Sequence, residues 1–423
     1  MTKMTRRKFG TLLATSAAAS TLAAPAVLSA AKMRLVVIGG GPGGTTAARY
    51  VAKGSKDVSV TIIEPKQNFT TCFFSNLYLG GFRTLASITH SYGTLAGQYG
   101  VNMVHDVAVD VDRAAKTVKL GRGADLGYDR LVVSPGIEML YDTIEGYSPE
   151  AATMMPHAWQ AGTQTAALKT QLEAMDDGGV VVVAPPPNPF RCPPGPYERI
   201  CMIAHYLKAN KPKSKIMVLD AKNKFSKQAL FQEAWTNHYD GMIEWVPEEV
   251  SGGVKAVKAD SMEVVMEDET VKAAVANIIP AQAAGIIAKR AGLTNDGGWC
   301  PIDPKSMRSK VDENVFVIGD ASVASAMPKS GFSANSQAKV AANALLADLT
   351  GSKKFPAKFR NTCWSLVATD DGVKVGADYQ GGAEKIEVTS KFISKTGEAA
   401  DLRAQTSREA NGWYDGITKD MFG

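Results

Sequence analysis

The chain has 423 residues, 45% of them hydrophobic and 21% charged, enough for two or three domains with substantial cores. Its formal charge of +5 rests largely on Lys3, Arg6, Arg7 and Lys8; without these, 43 basic residues face 42 acidic ones, which speaks against nucleic-acid binding. Five cysteines and five histidines, with no close Cys-x-x-Cys pair, argue against a metal site.

Residues 5–10 read TRRKFG, a twin-arginine box followed by an alanine-rich apolar stretch and the small residues Ser29, Ala30 and Ala31. The stretch is short and only mildly hydrophobic, so residues 1–31 are expected to be a cleaved export signal rather than a membrane anchor. The expected location is a bacterial periplasm, where disulfides persist. No other segment is apolar and long enough to span a bilayer, so no stable membrane insertion is expected.

Residues 33–44, MRLVVIGGGPGG, read as a buried strand entering a glycine turn and a helix over 45–53. Gly39, Gly41 and Gly44 make a G-x-G-x-x-G pattern. A second strand over 58–64 ends on Glu64, twenty residues past Gly44 and placed to bond a ribose hydroxyl. This βαβ unit predicts an adenine-dinucleotide site. Further strands are expected over 128–137, ending in the turn with Pro135 and Gly136, and over 314–321, ending in Gly319-Asp320. The latter aspartate suits the ribityl and pyrophosphate region of FAD, and a helix over 333–349 follows it.

A second strand–helix–strand unit begins at 180, with helices over 166–175 and 199–209 and a strand over 215–220. Its turn reads APPPNPFRCPPGPYE where glycines would cradle a phosphate. Proline offers no amide hydrogen and its ring fills the space a phosphate needs. The unit therefore reads as an NAD domain without its fingerprint, and NAD(P)H is not expected to bind. The organisation expected is an FAD-binding domain split over 32–145 and 282–353, an NAD-domain-like insertion at 146–281, and a C-terminal interface region at 354–423 made of short strands and a polar end.

The segments TTCFFSNLYLGG (70–81), HDVAVDVD (105–112), FRCPPGPYER (190–199), GLTNDGGWCP (292–301), MPKSGFSANSQ (327–337) and NTCWS (361–365) together resemble the flavoprotein subunit of flavocytochrome c sulfide dehydrogenase over essentially the whole mature chain. The resemblance implies an α/β fold of two dinucleotide-binding domains, glutathione-reductase-like, with a C-terminal interface domain. It implies FAD joined to Cys72 by a thioether, with Val107 of the 105–112 segment lining the cofactor. It also implies a redox disulfide between Cys192 and Cys363, 171 residues apart. Sulfide is the substrate implied, oxidised to sulfur or polysulfide. Glu198 is the matched acid near the sulfur, suited to proton transfer or simply to a helix N-terminus. Lys329 is expected to place a cation beside the flavin.

Cys201, nine residues after Cys192, remains a rival partner for it, and Cys300 reads as a small buried hydrophobe. Trp364, Trp413 and Tyr414 suit either a flavin cover or core packing. The chain has no Cys-x-x-Cys-His haem motif, so the implied haem would belong to a c-type cytochrome subunit in a heterodimer. Two other readings share these features. One is a sulfide:quinone oxidoreductase, which docks on membranes through an amphipathic C-terminal region. Residues 398–423 are rich in charge and show no sustained apolar stripe, which argues against it. The other is a non-catalytic accessory flavoprotein of a thiosulfate-oxidation system.

Overall fold

The structure is a computed structural model that describes residues 32–423. The leader expected over 1–31 lies outside the described residues. The elements used below are, in chain order, β1 (Met33–Ile38), α1 (Pro42–Gly54), β2 (Val58–Ile63), β3 (Asn102–Val104) and β4 (Arg130–Val133). Then come α2 (Thr163–Ala174), β5 (Val180–Ala184), α3 (Gly195–Asn210), β6 (Lys215–Leu219), α4 (Gln228–Tyr239), β7 (Ile243–Val246) and β8 (Val275–Ile278). The chain closes with β9 (Val315–Val317), α5 (Gly331–Thr350), β10 (Lys358–Ala368), β11 (Asp371–Gly381), β12 (Ile386–Ile393) and α6 (Ala400–Phe422).

Valine- and isoleucine-rich runs form two parallel sheets, covered on their faces as such runs require. The first has the order β9-β4-β1-β2-β3. Ile38 lies level with Val133 and Ile63, and Val317 with Val133. The turns that leave β1, β4 and β9 therefore start at one height, at the carboxyl edge where open α/β sheets bind ligands. The strands expected over 128–137 and 314–321 are shorter than read, because Gly136 (φ 70°) and Gly319 (φ 76°) turn the chain.

The second sheet has the order β7-β6-β5-β8, all parallel. Helix α3 starts at Gly195, earlier than residue 199, with a proline in its first turn. Strands β10, β11 and β12 form an antiparallel sheet, and the contacts join Met33–Gly423 into one compact unit.

The carboxyl-terminal tail departs from the sequence reading. It is a 23-residue helix, α6, with an inward stripe of Tyr414, Ile417, Met421 and Phe422. The spacing of three and four residues is helical; charged neighbours mask it in the sequence. The stripe packs against the protein itself: Tyr414 stacks on Phe74 at 4.3 Å and Phe422 on His90 at 5.0 Å. Asp420 near its end accepts bonds from Arg49 (3.1 Å), Tyr50 (3.0 Å) and Asn335 (2.9 Å). Among the described residues, no helix is long and apolar enough to cross a membrane.

Gly44 packs α1 on β1. A Cβ there would sit 1.9 Å from the carbonyl oxygen of Gly39, a backbone atom that cannot swing away. Gly416 in α6 has open space where its side chain would be. Gly44→Ala is expected to destabilise the protein by about 1–3 kcal/mol, as overpacking does. Gly416→Ala is expected to be neutral or to stabilise by up to about 1 kcal/mol. The shift in the urea midpoint reads both.

Candidate functional site

At the carboxyl edge of the first sheet lies a cavity of about 660 Å³, lined by Gly39, Gly41, Glu64, Cys72, Val107, Pro135, Gly136, Gly319 and Asp320 among others. These sequence candidates come from six separate stretches of chain, and the level strand ends bring them together. Gly39 (φ 102°) must be glycine, since a Cβ would lie 2.2 Å from the Ser134 carbonyl oxygen. Glu64 accepts bonds from the amides of Gly40 (2.9 Å) and Lys66 (3.1 Å), which hold its carboxylate on the cavity wall.

Burial pushes the Asp320 carboxyl above its usual range, and its Oδ1 is buried without a partner. An unsatisfied buried acceptor is costly, so Asp320 is suited to a ligand hydroxyl. The glycine cradle, the acid on β2 and this orphaned oxygen fit FAD, with a volume typical of cofactor sites.

Two candidates stand elsewhere. Gly44 does not line the cavity and acts through packing. Lys329 is turned away from it: Nζ donates to the carbonyls of Asp320 (2.7 Å) and Ser322 (3.0 Å) and lies 3.6 Å from the Trp299 ring centre. Burial lowers its pKa to about 8. The cations that do line the cavity are Lys66 and Arg191, the latter 3.7 Å from Asp320. The backbone of Lys329 has a different task, since its carbonyl accepts the Cys192 N–H at 2.7 Å.

A second, smaller cavity of about 90 Å³ adjoins the first, sharing Cys72, Arg191, Ser330 and Gly331 on its walls. It is lined by Cys72, Cys192, Glu198 and Cys363, with Trp364 and Trp413 at one side. Its volume equals roughly three waters of liquid, which suits a small anion. Cys192 sits in a left-handed backbone conformation (φ 58°), clamped between Lys329 and Gly195, whose amide donates to the Cys192 carbonyl at 2.7 Å. Cys363 lies mid-strand in β10, its sulfur accepting from the Asn361 amide at 3.3 Å. All five cysteines are unlinked thiols in this structure.

Glu198 is half-buried, and desolvation pushes its carboxyl up despite two donors. Oε2 accepts from Asn76 Nδ2 at 2.8 Å and Oε1 from the Leu366 amide at 2.9 Å. Asn76 also accepts from Arg199 Nε at 3.0 Å. The Arg199 guanidinium is buried, donates to the carbonyls of His157 and Ala158, and has its pKa lowered by burial to about 9. Lys227 enters from the αL residue (φ 61°) before α4, with Nζ 2.8 Å from Ser365 Oγ and 3.2 Å from the Cys363 carbonyl. Cys201 faces the other way, into the core beside Trp235 and Tyr239, and Cys300 is buried near Lys329.

Sequence reading missed Asn76, Arg191, Arg199 and Lys227. Three of them flank quoted cysteine motifs and carried a usable mark. Lys227 stands in AKNKFSK (221–227), a run that looks like a solvated loop.

The acid after the second strand of the second sheet has protein partners. Asp220, just past β6 where a ribose acid belongs, accepts from Tyr197 (2.6 Å), Lys222 (2.7 Å) and Trp245 (3.0 Å). Phe225 stacks on Tyr197 at 3.7 Å. Among the described residues no cluster of three or more His, Cys, Asp or Glu could hold a metal.

Because Asn76 serves both Glu198 and Arg199, Asn76→Ala leaves two groups short of a partner. The substitution is expected to cost about 1–3 kcal/mol, read from the urea midpoint.

Three family descriptions match this chain. Residues 33–183 match the pyridine nucleotide-disulphide oxidoreductases, and residues 165–280 match the central region of the sulfide dehydrogenase [flavocytochrome c] flavoprotein chain. Residues 356–422 match the flavin-binding region of flavocytochrome c sulphide dehydrogenase. Mitochondrial sulfide:quinone oxidoreductases of Mus musculus and Dictyostelium discoideum are each 22% identical, over 62% and 53% of this chain. The matches cover 59% and 50% of those two proteins, so the chain spans between half and three-fifths of their length. The fold is similar to that of the Aquifex aeolicus sulfide:quinone oxidoreductase (TM-score 0.72, 16% identity, 92% of both chains). It is also similar to that of an NAD-dependent persulfide reductase from A. fulgidus (TM-score 0.62, 16% identity, 89% of this chain and 77% of that one). The two sulfide dehydrogenase matches contain Cys192, Glu198 and Cys363, the residues of the small cavity, and the chain belongs to the flavoprotein chains of the flavocytochrome c sulfide dehydrogenase family.

Proposed function

We propose that this protein oxidises sulfide with a Cys192–Cys363 disulfide beside FAD and passes the electrons to a c-type cytochrome subunit. The observation that carries the reading is the shared cavity: Cys72, Cys192, Glu198 and Cys363 line one small space that adjoins the dinucleotide site. The position of Cys72 on the wall common to both cavities supports a thioether from its sulfur to the flavin. The TRRKFG leader supports export to the periplasm with the cofactor in place.

In the chemistry proposed, HS⁻ attacks one sulfur of the disulfide; a new S–S bond forms, the old one breaks, and the other cysteine leaves as a thiolate. A second HS⁻ takes the bound sulfur away as HSS⁻. The two cysteine sulfurs then rejoin and give up two electrons. In sum, two HS⁻ yield HSS⁻, one proton and two electrons. FAD, when bound, takes the electron pair and releases it one electron at a time. Glu198, with its raised pKa and its place on the cavity wall, is suited to accept the proton that H₂S loses on becoming a nucleophile. Cys363 also borders an apolar groove with Val388, Phe392 and Ile393, which supports a path by which zero-valent sulfur leaves on the side away from the flavin.

The acid after β6 supports the absence of NAD(P)H from the cycle, since Tyr197, Lys222 and Trp245 already occupy the bonds of Asp220. The inward packing of α6 leaves its apolar stripe spent on the protein rather than on a membrane.

The purified protein with its cytochrome subunit is expected to reduce that cytochrome with sulfide, and to show no flavin reduction by NADH. Spectrophotometry of cytochrome and of a short-chain quinone as alternative acceptors decides the matter. Sulfide-dependent reduction of quinone alone would assign the chain to quinone-linked chemistry. No sulfide turnover, but stimulation of a thiosulfate-oxidising system, would assign it the accessory role.

A further inference from the structure

Opening a disulfide in a small, largely buried cavity leaves a negative charge with little water to hold it. Transfer of an unpaired ion into such a place costs several kcal/mol unless a counter-charge is already there. The cavity wall already carries one half-buried carboxyl, Glu198, which makes a further anion still less welcome. A fixed cation close to the disulfide would offset that charge in the chemistry proposed above.

Two cations have the wrong geometry. Arg191 points to Asp320 and the Trp159 carbonyl. Arg199 lies over the Trp159 ring at 4.7 Å and is held by Asn76, His157, Ala158 and Asn277, none of which is on the strand that carries Cys363. Lys227 differs. Its Nζ is aimed by Ser365 Oγ (2.8 Å) and the Cys363 carbonyl (3.2 Å), both on β10, with the Val373 carbonyl of β11 at 3.5 Å. The ionisable groups that act on it are Glu198 and Cys201 from α3, Cys192 from the turn before α3, and Cys363 from β10. These four, the largest ionisable influences on it, are all acids, and the Phe231 ring of α4 lies 5.4 Å away. The backbone of Lys227 is left-handed, a conformation costly for a residue with a side chain and common where function overrides local preference.

We propose that Lys227 is the electrostatic positioning residue of the disulfide centre: its buried ammonium holds the thiolate released when the Cys192–Cys363 bond opens. It makes and breaks no bond and transfers no proton. The electron pair of the broken S–S bond goes to the departing sulfur, and the ammonium lowers the energy of that charge-separated state. Burial lowers the Lys227 pKa to about 8, and each neighbouring acid pushes it back up, so formation of a thiolate tightens the proton on Lys227. Reciprocally, Lys227 lowers the pKa of both Cys192 and Cys363 against the rise that burial imposes.

This role rests on the disulfide reading, but its test needs no sulfide. In the reduced full-length flavoprotein, the pH dependence of Cys192 and Cys363 alkylation is followed by peptide mass mapping. The disulfide equilibrium is measured in parallel in dithiothreitol buffers. Lys227→Met is expected to move the alkylation midpoint up by a pH unit or more. It is also expected to shift the equilibrium about tenfold toward the disulfide, near 30 mV more negative. Lys227→Arg, which keeps the charge, is expected to stay within about threefold of the parent. Should the methionine variant not fold, Lys227→Gln decides, since it can still donate to Ser365 but carries no charge. A neutral variant that leaves both readouts unmoved overturns the proposal. So does an arginine variant that behaves like the neutral ones, since that result assigns Lys227 to hydrogen bonding alone. If alkylation shifts but sulfide is never turned over, the electrostatic role stands and the substrate reading falls.

Discussion

The site depends on one half-buried carboxylate. Glu198 accepts from Asn76, four residues after Cys72, and from the amide of Leu366, three residues after Cys363; Glu198 itself lies six residues after Cys192. Its two oxygens thus tie together the three chain segments that carry Cys72, Cys192 and Cys363. A carboxylate without water keeps its charge only if donors surround it, so the segments must dock in this one arrangement to satisfy it. The tie also explains why burial raises the Glu198 pKa without abolishing its bonds: both donors are neutral, and the charged groups stand further off. Arg199 and Lys227 complete the network from opposite sides, one through Asn76 and one through the backbone and side chain of β10.

The proposed loss of the second nucleotide rests on internal substitution within the scaffold. Its second parallel sheet persists, and so does the acid after β6, but Tyr197, Lys222 and Trp245 have taken over the bonds of Asp220. The prolines from 185 onward remove the amides a phosphate would use and lead straight to the strained turn of Cys192. Sheet topology sets where chemistry happens, and side chains decide which chemistry.

Much of this was legible in the sequence where the signal is local. The strand–glycine–helix start, the acid at the end of β2 and the Gly319-Asp320 turn each follow from steric and hydrogen-bonding rules that act over a few residues. The defects of the reading have one cause: a side chain's direction is set by distant partners. Lys329 carries the right charge near the right motif, yet Trp299 and two carbonyls draw its ammonium away from the cavity. Lys227 sits among lysines and asparagine in what looks like a wet loop, and only the docking of β10 buries it. In α6 the apolar stripe is four residues wide-spaced among charges, and it becomes visible once Phe74 and His90 are seen to receive it.

The account stands or falls on which sulfurs are joined. Peptide mass mapping of the protein as isolated, before and after reduction, tests this directly, with flavin fluorescence marking the cofactor-bearing peptide. The expected result is a reducible link between the Cys192 and Cys363 peptides, with the flavin retained on the Cys72 peptide under denaturing conditions. A link from Cys192 to Cys201, or two thiols that stay unlinked under oxidation, would contradict it.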